Sequence, residues 1–233
     1  MTDNSLTITG TREIGLILKE KNKGFKVKNY LFWKRFCDLA LAFLLVILLS
    51  WLLIIIAICV KCSSKGPVIY KHKRLGQYGK VINVYKFRTM KTDHLILEEV
   101  LTEEQLKQYQ TEFKIVDDPR TTKFGKLLRK TSLDELPQIF NIIKGEMSFV
   151  GPRPVVDKEI ELYYQRTSKI FLQVRPGLTG YWQAYARNDA TYSSGERQQM
   201  ELFYCSNRSF WFDIKIFFKT FSRVLSRKGA ELK

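Results

Sequence analysis

The sequence has few of the residues that build zinc sites and disulfide frameworks. It contains two histidines, His72 and His94, and four cysteines among 233 residues. So few cysteines in a chain of this length do not form a disulfide framework, and Cys59-x-x-Cys62 is at most half of a zinc site. We therefore expect neither a histidine-rich metal site nor a redox motif.

Proline is absent from the longest apolar segment of the chain, which runs from residue 39 to residue 60. A helix of these 22 residues is long enough to cross a hydrocarbon core of about 30 Å. The segment is not a signal peptide, because its leader is too long and no cleavage site of small residues follows. We predict a polar, basic N-terminal segment (1–33), a membrane helix (34–62) and a cytoplasmic catalytic domain (63–233).

Both flanks of the apolar segment are basic. Residues 19–35 carry seven Lys or Arg residues, and residues 61–80 carry six. Because basic flanks tend to stay in the cytoplasm, this pattern predicts a helix that enters and leaves the membrane on the same face. The alternative is one straight span, since Ser50-Trp51 is a weak cause for a bend.

The net charge of the chain is +16. Such an excess of cations predicts anionic partners, namely lipid headgroups, nucleotide phosphates or nucleic acid.

Two adjacent carboxylates, Asp134 and Glu135, precede a proline and an apolar helical pattern. Pro137 fits the first turn of a helix, so we predict that the helix begins near Asp134 with Pro137 at its third position. An ionised carboxylate beside free amides and arginines suits nucleophilic attack on phosphorus. The alternative is a capping box in which Ser132 and Glu135 only cap the helix.

Residues 68–72 and 81–87 read as two strands of a hairpin whose turn spans residues 76–79. Lys86 and Arg88 follow aromatic residues at its end. They are candidate phosphate ligands, or else part of an ordinary solvated basic face.

Three further arginines are candidate phosphate ligands. Arg153 lies between two prolines that stiffen its backbone, which suits bidentate recognition of phosphate. Arg175 begins a segment of glycine turns and aromatics where a nucleotide base or sugar would fit, and Arg129 precedes the two carboxylates. A plain proline loop and an ordinary turn into a strand are the alternatives.

The remaining patterns are helical. Residues 93–113 predict an exposed acidic helix, and residues 210–228 combine bulky aromatics with cations. The second pattern is typical of a helix lying in the membrane interface, although a core helix with a basic outer face would also fit. The fold class is therefore α+β, mainly helical and monotopic, with a small β-hairpin and interfacial amphipathic helices.

Several motifs together resemble the bacterial sugar transferases known as monotopic phosphoglycosyl transferases. The most specific is LRKTSLDELPQ at residues 128–138, and the others are KRFCD (34–38), YKFRTM (85–90), GEMSFVGPRP (145–154), VRPGLTG (174–180) and FDIKI (212–216). The family usually breaks its membrane helix with Ser-Pro, where this chain has Ser50-Trp51. Larger members add an N-terminal bundle of membrane spans, so this chain resembles the small form.

The resemblance implies an enzyme at the cytoplasmic face of the bacterial inner membrane. Such enzymes move a sugar-1-phosphate from a UDP-sugar to polyprenyl (undecaprenyl) phosphate, release UMP and use Mg²⁺. Carried over, Asp134 would form a covalent phosphosugar intermediate, and Glu135 would act as base or hold the metal with Asp134. Arg129 and Arg153 would bind phosphate, supported by Lys86 and Arg88. Membrane lipids and a second copy of the chain are further expected partners, and nucleic acid is not.

Two other functions fit the residues. A membrane-tethered protein that binds nucleic acid or anionic lipid would explain the positive charge, but it gives the paired carboxylates no role. A phosphodiesterase would use the same two carboxylates without a lipid acceptor. The sequence does not select among glucose, galactose and their N-acetylated relatives as the sugar.

Overall fold

The computed structural model describes residues 24–91, 101–112, 118–186 and 190–225. The fold is α+β and mainly helical, with one long apolar helix at its N-terminal side, as predicted. Its helices and strands, in chain order, are α1 (Gly24–Ser63), β1 (Ile69–Leu75), β2 (Val81–Phe87), α2 (Glu103–Glu112), α3 (Lys123–Thr131), α4 (Gln138–Lys144), β3 (Ser148–Val150), α5 (Ser168–Leu172), β4 (Gly177–Thr179), α6 (Tyr181–Tyr185), α7 (Glu196–Asn207) and α8 (Phe210–Leu225).

Helix α1 is longer than the predicted membrane helix and continues without interruption through Ser50-Trp51. The Ser50 hydroxyl donates to the Ile47 carbonyl within the helix, at 3.0 Å. The part from Asn29 to Ser63 is long and apolar enough to cross a membrane. Most of the predicted polar N-terminal segment, residues 1–23, lies outside the described residues.

One face of α1 packs on the rest of the protein along its whole apolar stretch. Ala42 and Leu45 join the main core, whereas Ile56 and Val60 join a second cluster with Leu128. The opposite face remains exposed and carries large apolar side chains, namely Phe43, Leu44, Ile47, Leu48, Trp51, Ile54, Ile55 and Ile58. The helix therefore lies along the globular part instead of leaving it at one end.

Charged side chains fix both ends of the apolar stretch to that globular part. Before the stretch, the Lys34 ammonium lies 2.5 Å from an Asp213 carboxylate oxygen, and Arg35 donates to the Ile142 carbonyl at 2.6 Å. After it, the Arg88 guanidinium donates to the carbonyls of Val60 and Ser64, at 3.0 and 2.5 Å. Val60 lies in the last turn of α1 and Ser64 directly follows its last residue, so Arg88 caps the end of the helix.

The predicted hairpin is confirmed. Strands β1 and β2 are antiparallel, with His72 opposite Val84 and Arg74 opposite Ile82. The buried Asn141 side chain of α4 locks the hairpin in place, because it accepts from the Tyr85 amide at 2.9 Å and donates to the Asn83 carbonyl at 2.7 Å. Strand β2 is thereby fixed relative to the segment that carries the two carboxylates.

The second sheet consists of the short parallel strands β3 and β4, which pair through Ser148 and Gly177 and through Val150 and Thr179. A Cβ on Gly177 would lie 2.1 Å from the Gly151 nitrogen and 2.3 Å from the Thr179 oxygen. Real Cβ atoms do not approach backbone so closely, and only glycine fits there. This close approach fixes the Gly151-Pro152-Arg153-Pro154 segment against β4.

The helical predictions are confirmed in part, because Leu101 and Thr102 of the predicted acidic helix are not helical and Leu101 is buried. The predicted acidic helix contains α2, whereas residues 92–100 and 113–117 lie outside the described part. Helix α8 is amphipathic: Asp213 and Ile216 are buried, whereas Trp211, Phe218 and Phe221 are exposed. Because α1 and α8 both expose large apolar side chains, each presents a surface suited to lipid.

A candidate active site beside the membrane helix

The segment with the two carboxylates is not a helix start of the predicted kind. Leu133–Glu135 form a single 3₁₀ turn, and α4 begins later, with Pro137 as its N-cap residue. The capping-box interpretation is wrong, because Ser132 has a φ of 56°, ends α3 and makes no side-chain cap. Because proline has no amide hydrogen, Pro137 leaves no unpaired donor at the start of α4. The predicted placement of Pro137 at the third helical position is wrong as well.

A cavity of about 380 Å³ lies beside this turn. Its wall is formed by the hairpin, the Arg153 loop, β4, α8 and one residue of the membrane helix, Leu45. Five cationic side chains line it, from Arg74, Lys86, Lys130, Arg153 and Arg223. Apolar side chains of Leu45, Phe149, Phe217 and Phe221 line another part. The cavity therefore offers both a cationic and an apolar surface, and α1 contributes Leu45 to its wall.

One of the two carboxylates, Glu135, lies in the wall of this cavity. Glu135 lines it directly and forms an ion pair with Lys86, with an N–O distance of 2.6 Å. Asp134 is buried, with 7% of its surface exposed, and its neighbours Leu133 and Glu135 both line the cavity. Lys86 thus lies in the cavity beside Glu135, and its predicted supporting role in phosphate binding stays a prediction.

Arg129 is positioned next to Asp134 but does not line the cavity in the described structure. Its guanidinium donates to the hydroxyls of Thr89 and Thr121, at 3.0 and 3.3 Å. Burial lowers the pKa of Arg129, and the neighbouring charge of Asp134 raises it again. Arg129 therefore compensates the charge of the carboxylate, and its predicted contact with a phosphate stays a prediction.

Arg153 does line the cavity. Its backbone amide donates to the Glu201 carboxylate at 3.3 Å, and its Nε is buried without a hydrogen-bond partner among the described residues. A buried guanidinium nitrogen without a partner is costly unless a ligand supplies one. This geometry agrees with the predicted role of Arg153 as a phosphate ligand.

The structure does not bring Arg88 or Arg175 to the cavity. Arg88 is buried and caps α1, with a further donation to the Pro67 carbonyl. Arg175 lies near Arg35, and its Nε is buried without a hydrogen-bond partner among the described residues. The geometry gives Arg88 a structural role, and the predicted roles of Arg88 and Arg175 as phosphate ligands stay predictions.

Two cavity residues, His72 and Arg74, were not predicted. The two-residue repeat of β1 places both on the face that Lys86 occupies on β2, and that repeat is the signal that would have found them. Burial, together with the charges of Arg74, Lys86 and Arg153, lowers the pKa of His72 to about 4. His72 is therefore neutral at physiological pH, inside a cationic cavity.

Buried carboxylates lie behind the cavity arginines. Glu159 is fully buried, accepts from Arg74 at 2.8 Å and accepts from the Tyr192 hydroxyl at 2.9 Å. Glu201 is also fully buried, and burial raises its pKa to about 7, against the opposing effect of Arg197. These carboxylates hold Arg74 by its side chain and Arg153 by its backbone.

Glu201 makes the free energy of unfolding depend on pH. Its pKa is higher in the folded protein than its ordinary value of 4.5, so the folded state binds more protons between pH 4.5 and 7 and stability falls as the pH rises through this window. We expect Glu201→Gln to remove this part of the loss, so that the thermal midpoint declines less between pH 5 and 8 than in wild type. Glu161→Gln, at an exposed position, should decline as wild type does. Equal declines in all three proteins would contradict the assignment.

A buried carboxylate and a neighbouring carboxylate paired with a lysine accompany a cationic cavity, whose groups are suited to binding phosphate. The family model for bacterial sugar transferases matches residues 29–227. The chain belongs to the bacterial sugar transferase family.

Curated relatives agree with this family. The chain is 39% identical over 223 residues to an undecaprenyl-phosphate galactose phosphotransferase of Salmonella typhimurium, covering 94% of this chain and 46% of that protein. It is 43% identical to the exopolysaccharide production protein ExoY of Rhizobium meliloti, covering 84% of this chain and 87% of that protein. It is 41% identical to a UDP-glucose:undecaprenyl-phosphate glucose-1-phosphate transferase of Escherichia coli, covering 84% and 41%. The chain thus spans about half the length of several relatives and most of ExoY.

Proposed function

We propose that this protein transfers a sugar-1-phosphate from a UDP-sugar to polyprenyl phosphate, at the cytoplasmic face of the bacterial inner membrane. The observation that carries the proposal is a cationic cavity, partly lined by α1, whose wall contains Glu135 next to the buried Asp134. The names of the Salmonella and Escherichia relatives support undecaprenyl phosphate as the acceptor and a hexose-1-phosphate as the transferred group.

The reaction has two steps at one phosphorus atom. An Asp134 carboxylate oxygen attacks the β-phosphorus of the donor, and the bond from that phosphorus to the bridging oxygen breaks, so that UMP leaves with the electron pair. A phosphate oxygen of the acceptor then attacks the same phosphorus and releases Asp134. The Lys86 ammonium and the unpaired Arg153 Nε offset the negative charge that develops on the phosphoryl oxygens. Glu135 is placed to assist the incoming phosphate as base.

Magnesium fits this site as a cation shared between protein and substrate. Among the described residues, no three His, Cys, Asp or Glu side chains cluster to hold a metal. Mg²⁺ commonly binds one or two carboxylates together with substrate phosphates and water, and Asp134 with Glu135 would supply the carboxylates. When bound, the ion would supply charge neutralisation at the diphosphate.

The position of α1 supports a re-entrant arrangement. Both basic flanks are tied to the same globular part, through Lys34 and Arg35 on one side and Arg88 on the other. A span across the bilayer would separate these flanks by a hydrocarbon core of about 30 Å. A helix that lies along the globular part, with its exposed apolar face in one leaflet, keeps both flanks in the cytoplasm.

Two natural cysteines mark the two ends of the apolar stretch and test this topology. Cys37 and Cys62 are both exposed, and Cys205 is buried. In variants that retain Cys37 or Cys62 alone, we expect a membrane-impermeant maleimide to label both cysteines in inside-out vesicles and neither in intact spheroplasts. Labelling of one of the two from outside would establish a single span instead. Detergent-solubilised protein, in which both should react, is the control for thiol reactivity.

The activity is tested by assaying UMP release from UDP-glucose, UDP-galactose and their N-acetylated relatives, with and without undecaprenyl phosphate. We expect steady turnover and a lipid-linked sugar phosphate with both substrates present, and at most one UMP per enzyme without the acceptor. Steady UMP release without acceptor would show a phosphodiesterase. Salt-sensitive binding of RNA or anionic lipid with no UMP release would show a binding protein.

A further inference from the structure

The cavity lining is rich in hydrogen-bond donors and poor in acceptors. Its five cations, at positions 74, 86, 130, 153 and 223, can only donate. Glu135 is the one carboxylate among the described lining residues, and it already accepts from Lys86. Phosphate oxygens are acceptors and match such a surface. Hydroxyl groups of a sugar also need an acceptor for their hydrogens.

The hydroxyls of the three lining threonines are already engaged. Thr131 donates to the Leu127 carbonyl at 2.9 Å, within α3. The hydroxyls of Thr179 and Thr220 lie 2.8 Å apart and bond to each other. These bonds use the hydroxyl hydrogens within the wall of the cavity and leave the threonine oxygens only their remaining lone pairs as acceptors.

The two lining glutamines are poorly accessible. Gln138 is 3% exposed, and the Gln183 side-chain oxygen is buried where a Cβ on Gly180 would lie 2.9 Å from it. The Gln138 side chain is thus buried in the wall, and the Gln183 oxygen is a buried acceptor without a partner among the described residues.

His72 is a further lining residue whose side chain can accept a hydrogen bond. Its side chain is partly exposed, lines the cavity and contacts the ring of Tyr70, with ring centroids 5.6 Å apart. No hydrogen bond to His72 is formed by the residues that the structure describes. Because the imidazole is neutral, one ring nitrogen donates and the other accepts.

We propose that His72 accepts a hydrogen bond from a hydroxyl of the donor hexose and thereby selects the sugar. This role rests on the proposed function and adds a sugar-binding residue to it. Lys86, which shares the inner face of the hairpin with His72, pairs with Glu135 beside the nucleophile. The hexose is attached to the phosphate under attack, so a group next to Lys86 is placed to reach it.

Three substitutions at His72 distinguish loss of the hydrogen-bond acceptor from a change in the charge or volume of the side chain. His72→Gln keeps an acceptor, His72→Leu removes it, and His72→Lys offers a donor alone. Lys73→Leu, on the exposed outer face of the same strand, is the matched control. For each full-length protein in lipid nanodiscs, kcat/KM is measured with the UDP-hexose that wild type uses best, and the inhibition constant is measured for UDP, which lacks a hexose. Thermal midpoints report folding.

For His72→Leu and His72→Lys we expect kcat/KM to fall about ten-fold or more, as for loss of a hydrogen bond that leaves a group unpaired. UDP inhibition should change less than about two-fold for His72→Leu, and His72→Gln should restore most of the activity. An equal loss of hexose turnover and UDP affinity in His72→Leu would assign His72 to the nucleotide and overturn the proposal. Unchanged kcat/KM in His72→Leu would overturn it as well. If wild type itself releases no UMP from any UDP-hexose, the proposed function fails, and this inference fails with it.

Discussion

Replacing Asp134 with asparagine is expected to reduce UMP release and formation of the lipid-linked sugar by about 10⁴-fold or more, as for loss of other enzymatic nucleophiles. The amide is nearly the same size as the carboxylate, so the buried position remains filled, but its oxygen is a poor nucleophile. Asp134→Ala should be equally inactive. The measurement is UMP release with a UDP-hexose and undecaprenyl phosphate in membranes.

The control for this substitution is Asp157→Asn, at an exposed carboxylate that does not line the cavity. It should retain wild-type turnover. Mass spectrometry of wild type incubated with donor alone should show a hexose phosphate on the peptide that contains Asp134, and Asp134→Asn should not acquire it. Near-wild-type turnover of Asp134→Asn would exclude this residue as the nucleophile.

Arg153→Ala is expected to lower kcat/KM for the UDP-sugar by about 10²- to 10³-fold, in the range found when a donor to a developing oxyanion is removed. The buried Nε has no partner among the described residues, and we assign that donor to a phosphate oxygen. Arg153→Lys should recover only part of the loss, because an ammonium cannot donate in the planar, bidentate way of a guanidinium.

Arg166→Ala, which removes an exposed arginine away from the cavity, controls for the loss of one positive charge. It should change kcat/KM by less than about two-fold, since exposed charges are screened. If Arg166→Ala and Arg153→Ala lowered activity equally, the effect would belong to the net charge of the protein. Full activity of Arg153→Ala would remove this residue from the phosphate site.

Strand β1 of the hairpin contributes His72 to the cavity lining. Strand β1 alternates exposed lysines with the cavity-facing His72 and Arg74, and this alternation is visible in the sequence. Which face of the hairpin points inward depends on Asn141, whose side chain binds the backbone of Asn83 and Tyr85 from another element. The sequence therefore indicates that His72 and Arg74 share a face, but not that this face lines the cavity.

For Arg88, the sequence pattern suggested a place in the site, but the residue does not line the cavity. In the sequence it lies two residues after Lys86 and has the same alternation, so both read as ligands for phosphate. In the structure, strand β2 ends at Phe87, and the Arg88 guanidinium turns to the carbonyls that end α1. A helix end that lies 24 to 28 residues away in the chain supplies these acceptors, and no local pattern predicts such a contact.

The sequence by itself determined the long apolar helix, the hairpin, the amphipathic C-terminal helix and the pairing of Asp134 with Glu135. These features follow from local periodicity, turn residues and chain neighbours, which are properties of short stretches. The tertiary structure decided which cations share the cavity with Glu135, that Arg88 caps the end of α1, and that α1 packs along the globular part at both ends. Those outcomes depend on side chains brought together from distant parts of the chain, because burial and charge compensation are settled only when the elements pack.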